Sequence, residues 1–537
     1  MLSLKLDQLI LFFCSLALFA RIFLQPSLNN FEAMGPEHLA TLINNLAIFV
    51  LAFLFILKRT ILKENIRWPK IFCSLALFCL IATCSIFYSM DAPSSLLYIF
   101  DLWSSFFFML ILVNLLNTDS SVEIMAAVMI LLMALVGLHA AYEYLLIPTP
   151  HLPQDADRGI LQLIQSHRTP TIFGWPNILA GFVVMILPLT IIFLTAQRSV
   201  LIKLCTITAI LIAVYALMIT MTVSSWIGLG IALIVIFLIL KRQSLSISIK
   251  IGGFFIISLI IIITACTLFN KMSNVGVNSM DARLQYLTSS FQLIKQHPFI
   301  GNGWRSYGIA NVSFIKDING RSNFAHNTYL QIWTELGIIG LLAFIGFLWE
   351  LFKNAQALIQ KNDHKNILLT CVLAAGILGC MVDNLFSYTM LKPQVALFWW
   401  ALCALLIALK ENNIATRLLQ AQGTWKKIFL ILTLLGVIVT TRLALAEYDY
   451  FTALHYFHRG THYDKVEQLC VDAKQLNPWD HKYDLARAYA LYGLYLSNHN
   501  IETLKEAQDA VLSTEGQVSL GFERDALLSR INASLTQ

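Results

Sequence analysis

Charge is what this sequence has least of. Lys, Arg, Asp and Glu make up 13% of its 537 residues, against 58% hydrophobic, and the mean hydropathy is +0.70. A soluble chain of this length could not hide so much apolar surface, so soluble multi-domain architectures are excluded and a polytopic membrane protein is expected. Metal-ligand patterns are also missing. Nine of the ten cysteines sit in apolar runs and Cys470 stands apart; with no CxxC and no Cys/His cluster, neither a structural metal nor a disulfide framework is expected. No A-x-A-like cleavage site follows the first apolar run, from about Leu9 to Leu24, which therefore reads as a retained helix. No cofactor, metal or nucleic-acid partner is expected.

Apolar runs of roughly 17–25 residues, each long enough to cross a ~30 Å hydrocarbon core, recur along the chain. They fall near 8–24, 40–57, 71–89, 96–116, 122–147, 172–195, 202–221, 224–240, 251–269, 328–351, 367–387, 393–409 and 428–446. The fold expected is all-α, a bundle of about 12–13 transmembrane helices with a small helical extracytoplasmic domain at the C-terminus. The short loops 25–39 and 90–95 lack Lys and Arg altogether, whereas the alternate loops carry Lys58, Arg59 and Lys63, then Arg198 and Lys203, Lys241 and Arg242, Lys353 and Lys361, and Lys410, Lys426 and Lys427. The positive-inside rule puts the second set and the N-terminus in the cytoplasm. Loops near 148–171 and 270–327 and the tail 447–537 then lie outside. Residues 1–446 form the membrane domain. The tail has helical periodicity broken at "LNPWD", with Ala453, Ala473 and Asn477-Pro478 spaced like a tetratricopeptide (TPR) unit.

The residues that could carry chemistry gather on the outer side. His326 and Asn327 open an apolar helix, "AHNTYLQIWTELGIIGLLAF". An imidazole there can act as a general base or hold an interfacial hydrogen bond, and the amide can orient it or cap the helix. Arg168 abuts a span; Arg283 and Arg305 flank the glycine turn "HPFIGNGWRSYG", and a guanidinium fork suits a phosphate or pyrophosphate oxyanion. Gly301 and Gly303 permit a tight turn, either for close approach to a ligand or for a loop re-entering the protein. Among polar residues inside spans, Asp383 lies near an outer end and is a site candidate. Glu335, about nine residues beyond His326, is roughly 13 Å deeper and reads as an inter-helix contact.

Three blocks in order, "RTPTIFGWPNILAG", "DARLQYLTSSFQLIKQHPFIGNGWRSYG" and the His326 helix, resemble the bacterial O-antigen ligase and polymerase family over roughly residues 160–410. The resemblance implies a multi-span glycosyltransferase at the periplasmic face of the inner membrane. Its donor would be an undecaprenyl-pyrophosphate-linked glycan and its acceptor a hydroxyl on a glycolipid such as lipid A–core, or on a protein, with inversion at the anomeric centre and no obligatory metal. It implies His326 as the catalytic residue, acting as base or orienting the acceptor, and Arg168 and Arg283 as contacts of the donor pyrophosphate; from the residues themselves Arg305 is a third candidate pyrophosphate ligand, with Asn327, Gly301, Gly303, Tyr329 and Asp383 in support. One departure stands out: Ser224-Ser225-Trp226 replaces the family's Ser-Arg-Gly.

A ligase adding one preassembled glycan, a polymerase joining repeat units, and a protein O-oligosaccharyltransferase share these motifs. The TPR-like tail suits a protein partner or acceptor. A transporter of lipid-linked sugars is the alternative of another class. It would favour internally repeated or discontinuous spans, and no repeat is evident.

Overall fold

The computed structural model describes residues 2–24, 34–146, 172–194, 198–242, 275–314, 322–361, 364–413, 419–421, 423–460, 462–515 and 521–536. The fold is an all-α polytopic bundle. Its helices are α1 (Leu2–Phe23), α2 (Met34–Ile61), α3 (Ile71–Cys84, continued by a 3₁₀ turn to Tyr88), α4 (Ala92–Leu115), α5 (Asp119–Leu146), α6 (Pro176–Ile186, then 3₁₀ to Leu194), α7 (Val200–Thr220), α8 (Val223–Arg242), α9 (Val275–Gln296), α10 (Tyr307–Ala310), α11 (Thr328–Gln360), α12 (His364–Asp383), α13 (Pro393–Asn413), α14 (Thr424–His458), α15 (Tyr463–Leu476), α16 (Lys482–Asn498), α17 (Ile501–Leu512) and α18 (Gly521–Leu535). Eleven helices among the described residues are long and apolar enough to cross a membrane, and Ile367–Asp383 is a shorter apolar one. These twelve coincide with twelve of the thirteen expected spans; the span expected at 251–269 lies outside the described residues, as do Arg158, Arg168, Lys271, Lys316 and Arg321. The tight pair expected at 202–240 is two helices, turned at Met221, which takes a left-handed φ of 50°.

Helices suit this sequence because a span in lipid must satisfy every backbone polar group internally. α4 and α13 sit at the centre. Of α13, the run from Val395 to Leu409 is buried throughout, including Trp399 and Trp400. Charges inside the bundle are paired: Arg21 of α1, fully buried, bonds Asp101 of α4 and also donates to Asn45 Oδ1 at 3.1 Å and the Pro393 carbonyl at 2.9 Å. A buried charge needs this matching to offset its desolvation.

The two ends of the bundle differ in chemistry. At one, Lys58 bonds Asp7 at 2.6 Å, Arg59 bonds Glu64 at 2.8 Å, Lys426 donates to the Glu64 carbonyl, and a two-stranded ribbon pairs β1 (Ile66–Trp68) with β2 (Leu419–Ala421) antiparallel. The other end gathers the α3–α4 turn, the 297–308 segment, the start of α11 and the end of α12. α14 has 35 residues, about 52 Å at 1.5 Å per residue, so it outruns a ~30 Å core and projects at this second end. There Arg442 donates to the Gln475 carbonyl at 3.2 Å, and Lys482 of α16 bonds Glu447 at 2.5 Å. Helices α15 to α18 follow in succession.

Candidate active site

The site rests on a broken helix. Within α11, Gly337 has φ 65° and ψ −173°, which interrupts the helical hydrogen bonds inside a transmembrane segment. Orphaned backbone groups are costly in lipid. The 297–308 segment supplies the missing partners. Ile338 N donates to the Pro298 carbonyl at 2.9 Å, while Asn302 N and Gly303 N donate to the Thr334 and Glu335 carbonyls at 3.0 and 2.8 Å. Gly301, at φ 72°, and Gly303, at φ 104°, are required at this junction. A Cβ on Gly301 would run into the Glu335 backbone, and one on Gly303 into Ser89. Both glycines thus bring the loop against the protein's own backbone.

Glu335 holds the same loop from within. Its carboxylate accepts from Arg305 N at 2.9 Å, Tyr307 N at 3.3 Å and Gln331 Nε2 at 2.9 Å, while Gln331 Oε1 accepts from Ala325 N at 3.1 Å. The contact read at Glu335 from sequence is therefore to the loop. From the other side, Ser85 Oγ accepts from Trp304 N at 2.9 Å, and the Tyr88 hydroxyl donates to the Ile300 carbonyl at 2.8 Å.

His326 stands just ahead of the first turn of α11 in a left-handed conformation, φ 52°. Asn327 caps that helix, accepting from Leu330 N at 2.9 Å, so its amide is committed to the backbone. The imidazole stacks on Tyr286 of α9, with centroids 5.0 Å apart and planes 10° apart; Tyr388 meets it edge-on at 4.9 Å. Burial pushes the His326 pKa down to about 4, and Arg283 beside it adds to the shift by opposing a second positive charge. The ring is therefore neutral at pH 7, and no hydrogen bond to it is found among the described residues. If His326 is the base, the acid limb of a rate–pH profile should have its midpoint near pH 4, and activity should fall as pH drops through that value. A midpoint near the ordinary value of ~6.5 would indicate a solvated ring.

Arg283 is exposed on α9, and no carboxylate pairs with it among the described residues. Arg305, at φ 64°, lays its guanidinium on the Tyr98 ring, 3.9 Å from the centroid, and 5.0 Å from that of Phe324. Phe324 stacks on Tyr388 at 4.0 Å, which links the arginine to the histidine through two aromatic rings. Tyr329 donates to the Met381 carbonyl at 2.9 Å, joining α11 to α12. Asp383 is fully buried; it accepts from Ser224 at 2.9 Å, Ser225 at 2.7 Å and Thr389 at 3.1 Å. The two serines standing where the resemblance expects Ser-Arg thus hold this carboxylate.

The structure therefore brings His326, Arg283, Arg305, Asn327, Tyr329, Gly301, Gly303 and Asp383 to one end of the bundle. Sequence reasoning missed Tyr286, Phe324, Tyr388 and Lys392, whose ammonium lies 5.5 Å from the Phe324 centroid. The available signal was "FSYTMLKPQ", a short inter-span stretch that carries a tyrosine and a lysine soon after Asp383.

No curated protein matches the chain. Residues 207–345 match the family described as O-antigen ligase (Wzy_C), a stretch that contains Ser224, Ser225, Arg283, Arg305 and His326. Together with the polytopic helical bundle, this match supports assignment of the protein to the O-antigen ligase family.

Proposed function

We propose that the protein is a glycosyltransferase of the ligase type. It moves a preassembled glycan from undecaprenyl pyrophosphate to a hydroxyl of a lipid A–core or similar glycolipid, without a metal. It works at the periplasmic face of the bacterial inner membrane, with its N-terminus in the cytoplasm. The family match supports a membrane glycosyltransferase-like enzyme. The observation that carries the finer reading is a neutral imidazole, stacked on Tyr286 and met edge-on by Tyr388, with Arg283 beside it.

In the reaction, the acceptor oxygen attacks the anomeric carbon while the bond from that carbon to the pyrophosphate oxygen breaks. The hydroxyl proton passes to His326, and the departing electron pair stays on the pyrophosphate. Arg283 and Arg305 neutralise the charge that develops there, as does Arg168 by the motif alone. Backside attack inverts the anomeric centre. Gly301, Gly303, Asn327, Tyr329 and Asp383 act as positioning residues.

Arg283→Gln should raise the KM for donor about tenfold, the scale of one hydrogen bond to a charged group. It should also move the acid limb upward from pH 4, because the cation that disfavours imidazolium is gone. Kinetics across pH in proteoliposomes would check both. An unchanged KM and limb would place Arg283 outside the site.

A protein acceptor or partner is the second reading, favoured by the tail. Lys482 and Asp480 lie close enough to Asp91, the N-cap of α4, to perturb its carboxyl, so the tail stands at the same end as His326. TPR-like helices there would dock a protein. Reconstitution with purified donor tests these readings. A single glycan on glycolipid supports the ligase, a ladder of lengths the polymerase, and modified protein the O-oligosaccharyltransferase. Absence of transfer to any acceptor would sink all three.

A further inference from the structure

α9 lays Tyr286 on His326 and turns a second, apolar face outward. The helix has 22 residues, about 33 Å at 1.5 Å per residue, yet with Arg283, Gln285, Gln292 and Lys295 it is too polar to be one of the eleven candidate spans. One side packs on the site. Ser289, Ser290 and Leu293 are buried there, Leu293 clusters with Tyr307 and Ala325, and Ser290 Oγ donates to the Tyr307 hydroxyl at 3.3 Å. Another side is apolar and open: Leu284, Leu287 and Phe291, at i, i+3 and i+7, are 55%, 40% and 48% exposed and form one narrow stripe. Gln292 and Gln296, also exposed, lie on the flank away from that stripe.

The surroundings say what covers the stripe. Phe299 and Ile300, just past the end of α9, are exposed as well. Their carbonyls tie them to two spans, accepting from Ile339 N of α11 at 3.5 Å and from the Tyr88 hydroxyl at the end of α3 at 2.8 Å. Ile339 and Leu342 on α11 and Phe87 beside Tyr88 are exposed apolar side chains of those spans, which face lipid. At its other anchor, Tyr286 meets His326, and two residues on Thr328 N donates to the Asn384 carbonyl at 2.9 Å, just past α12. Both anchors of α9 are thus ends of membrane helices, so α9 lies across this end of the bundle and its apolar row runs on into the lipid-facing surface.

We propose that α9 is an in-plane helix seated in the membrane surface on the His326 side, with Leu284, Leu287 and Phe291 at the boundary between acyl chains and headgroups. Its partner is bulk phospholipid. Lys295, exposed in the last turn, suits the phosphate level, with its apolar stem along the boundary. Seated in this way, α9 holds Tyr286 and Arg283 at a fixed height beside His326. That consequence rests on the glycan-transfer reading; the seating does not.

The test replaces Leu287, Phe291, Gln296 and Leu342, one at a time, with a photoactivatable phenylalanine analogue in the full chain. Each variant is illuminated in proteoliposomes of radiolabelled phosphatidylethanolamine and phosphatidylglycerol, without donor or acceptor. Leu342, on a span, is the lipid-facing control, and melting in detergent checks that each variant folds. The expected result is labelled phospholipid adduct at 287 and 291 as at 342, and loss of that adduct at 296. Absence of adduct at 287 and 291 while 342 is labelled would overturn the seating, as would crosslinks from them to a second copy of the chain. Equal labelling at 296 would mean a helix immersed on all sides and would also overturn it. Adducts erased by added undecaprenyl phosphate would give the face to a prenyl chain instead. Because no reaction is read, each of these failures leaves glycan transfer standing, and adducts formed by a chain inactive in transfer would sink that reading alone.

Discussion

His326→Ala should lower kcat for glycan transfer by about 10²–10⁴-fold, the usual contribution of a positioned general base. That corresponds to about 3–5 kcal/mol of transition-state stabilisation. Loss of the ring's stacking on Tyr286 and its edge contact with Tyr388 is a smaller effect, about 0.5–1.5 kcal/mol per aromatic pair. The two are separable. His326→Asn keeps a residue tolerant of the left-handed backbone at φ 52° while removing the base, so it should fold as wild type and be equally inactive. Equal kcat for wild type and both variants, with folding checked by melting in detergent, would make the histidine structural.

Gly337→Ala should destabilise the protein by roughly 2–6 kcal/mol and abolish transfer. The position combines φ 65° with ψ −173°, a region that essentially only glycine occupies, at about 1–3 kcal/mol for any other residue. A Cβ there would also collide with the Phe299 carbonyl carbon and oxygen, and forced overpacking adds about 1–3 kcal/mol. The loop that would have to move carries Arg305 and Trp304 into the site, so activity should fall even where the bundle survives. Gly346 of the same helix is the control. A Cβ there meets nothing within 4 Å, so Gly346→Ala should be neutral or stabilising by up to ~1 kcal/mol. Thermal melting of the two variants side by side gives the comparison.

The apolar runs were sufficient to place the spans, because lipid demands long uninterrupted helices and the chain supplies them as separate blocks. The break in α11 could not be read the same way. "ELGIIGLLAF" looks like ordinary membrane helix, and only the three-dimensional partnership with Pro298 to Gly303 shows which glycine interrupts it. His326 stood out as a candidate because an imidazole is conspicuous at the start of an apolar segment, and Arg283 and Arg305 because they flank a glycine turn. The partners that define their environment were not. Ser225 reaches Asp383 across 158 positions, and Arg21 reaches Asp101 across 80. Asn327 was ambiguous between holding the imidazole and capping, and its bond to Leu330 N settles on capping. Tyr286 and Tyr388 are ordinary aromatics until the fold brings both against one ring. Arg168 lies outside the described residues, so its role stands on the motif alone.

The most direct test of the central claim uses sealed proteoliposomes carrying doubly labelled donor, with one label on the undecaprenyl carrier and another on the glycan, and an acceptor glycolipid on the face of His326. The expected result is one carrier pyrophosphate released for each glycan joined to the acceptor, on that face only, with neither product formed by His326→Ala. Glycan that crosses the bilayer still attached to its carrier, at the same rate with and without His326, would contradict the account and identify a transporter.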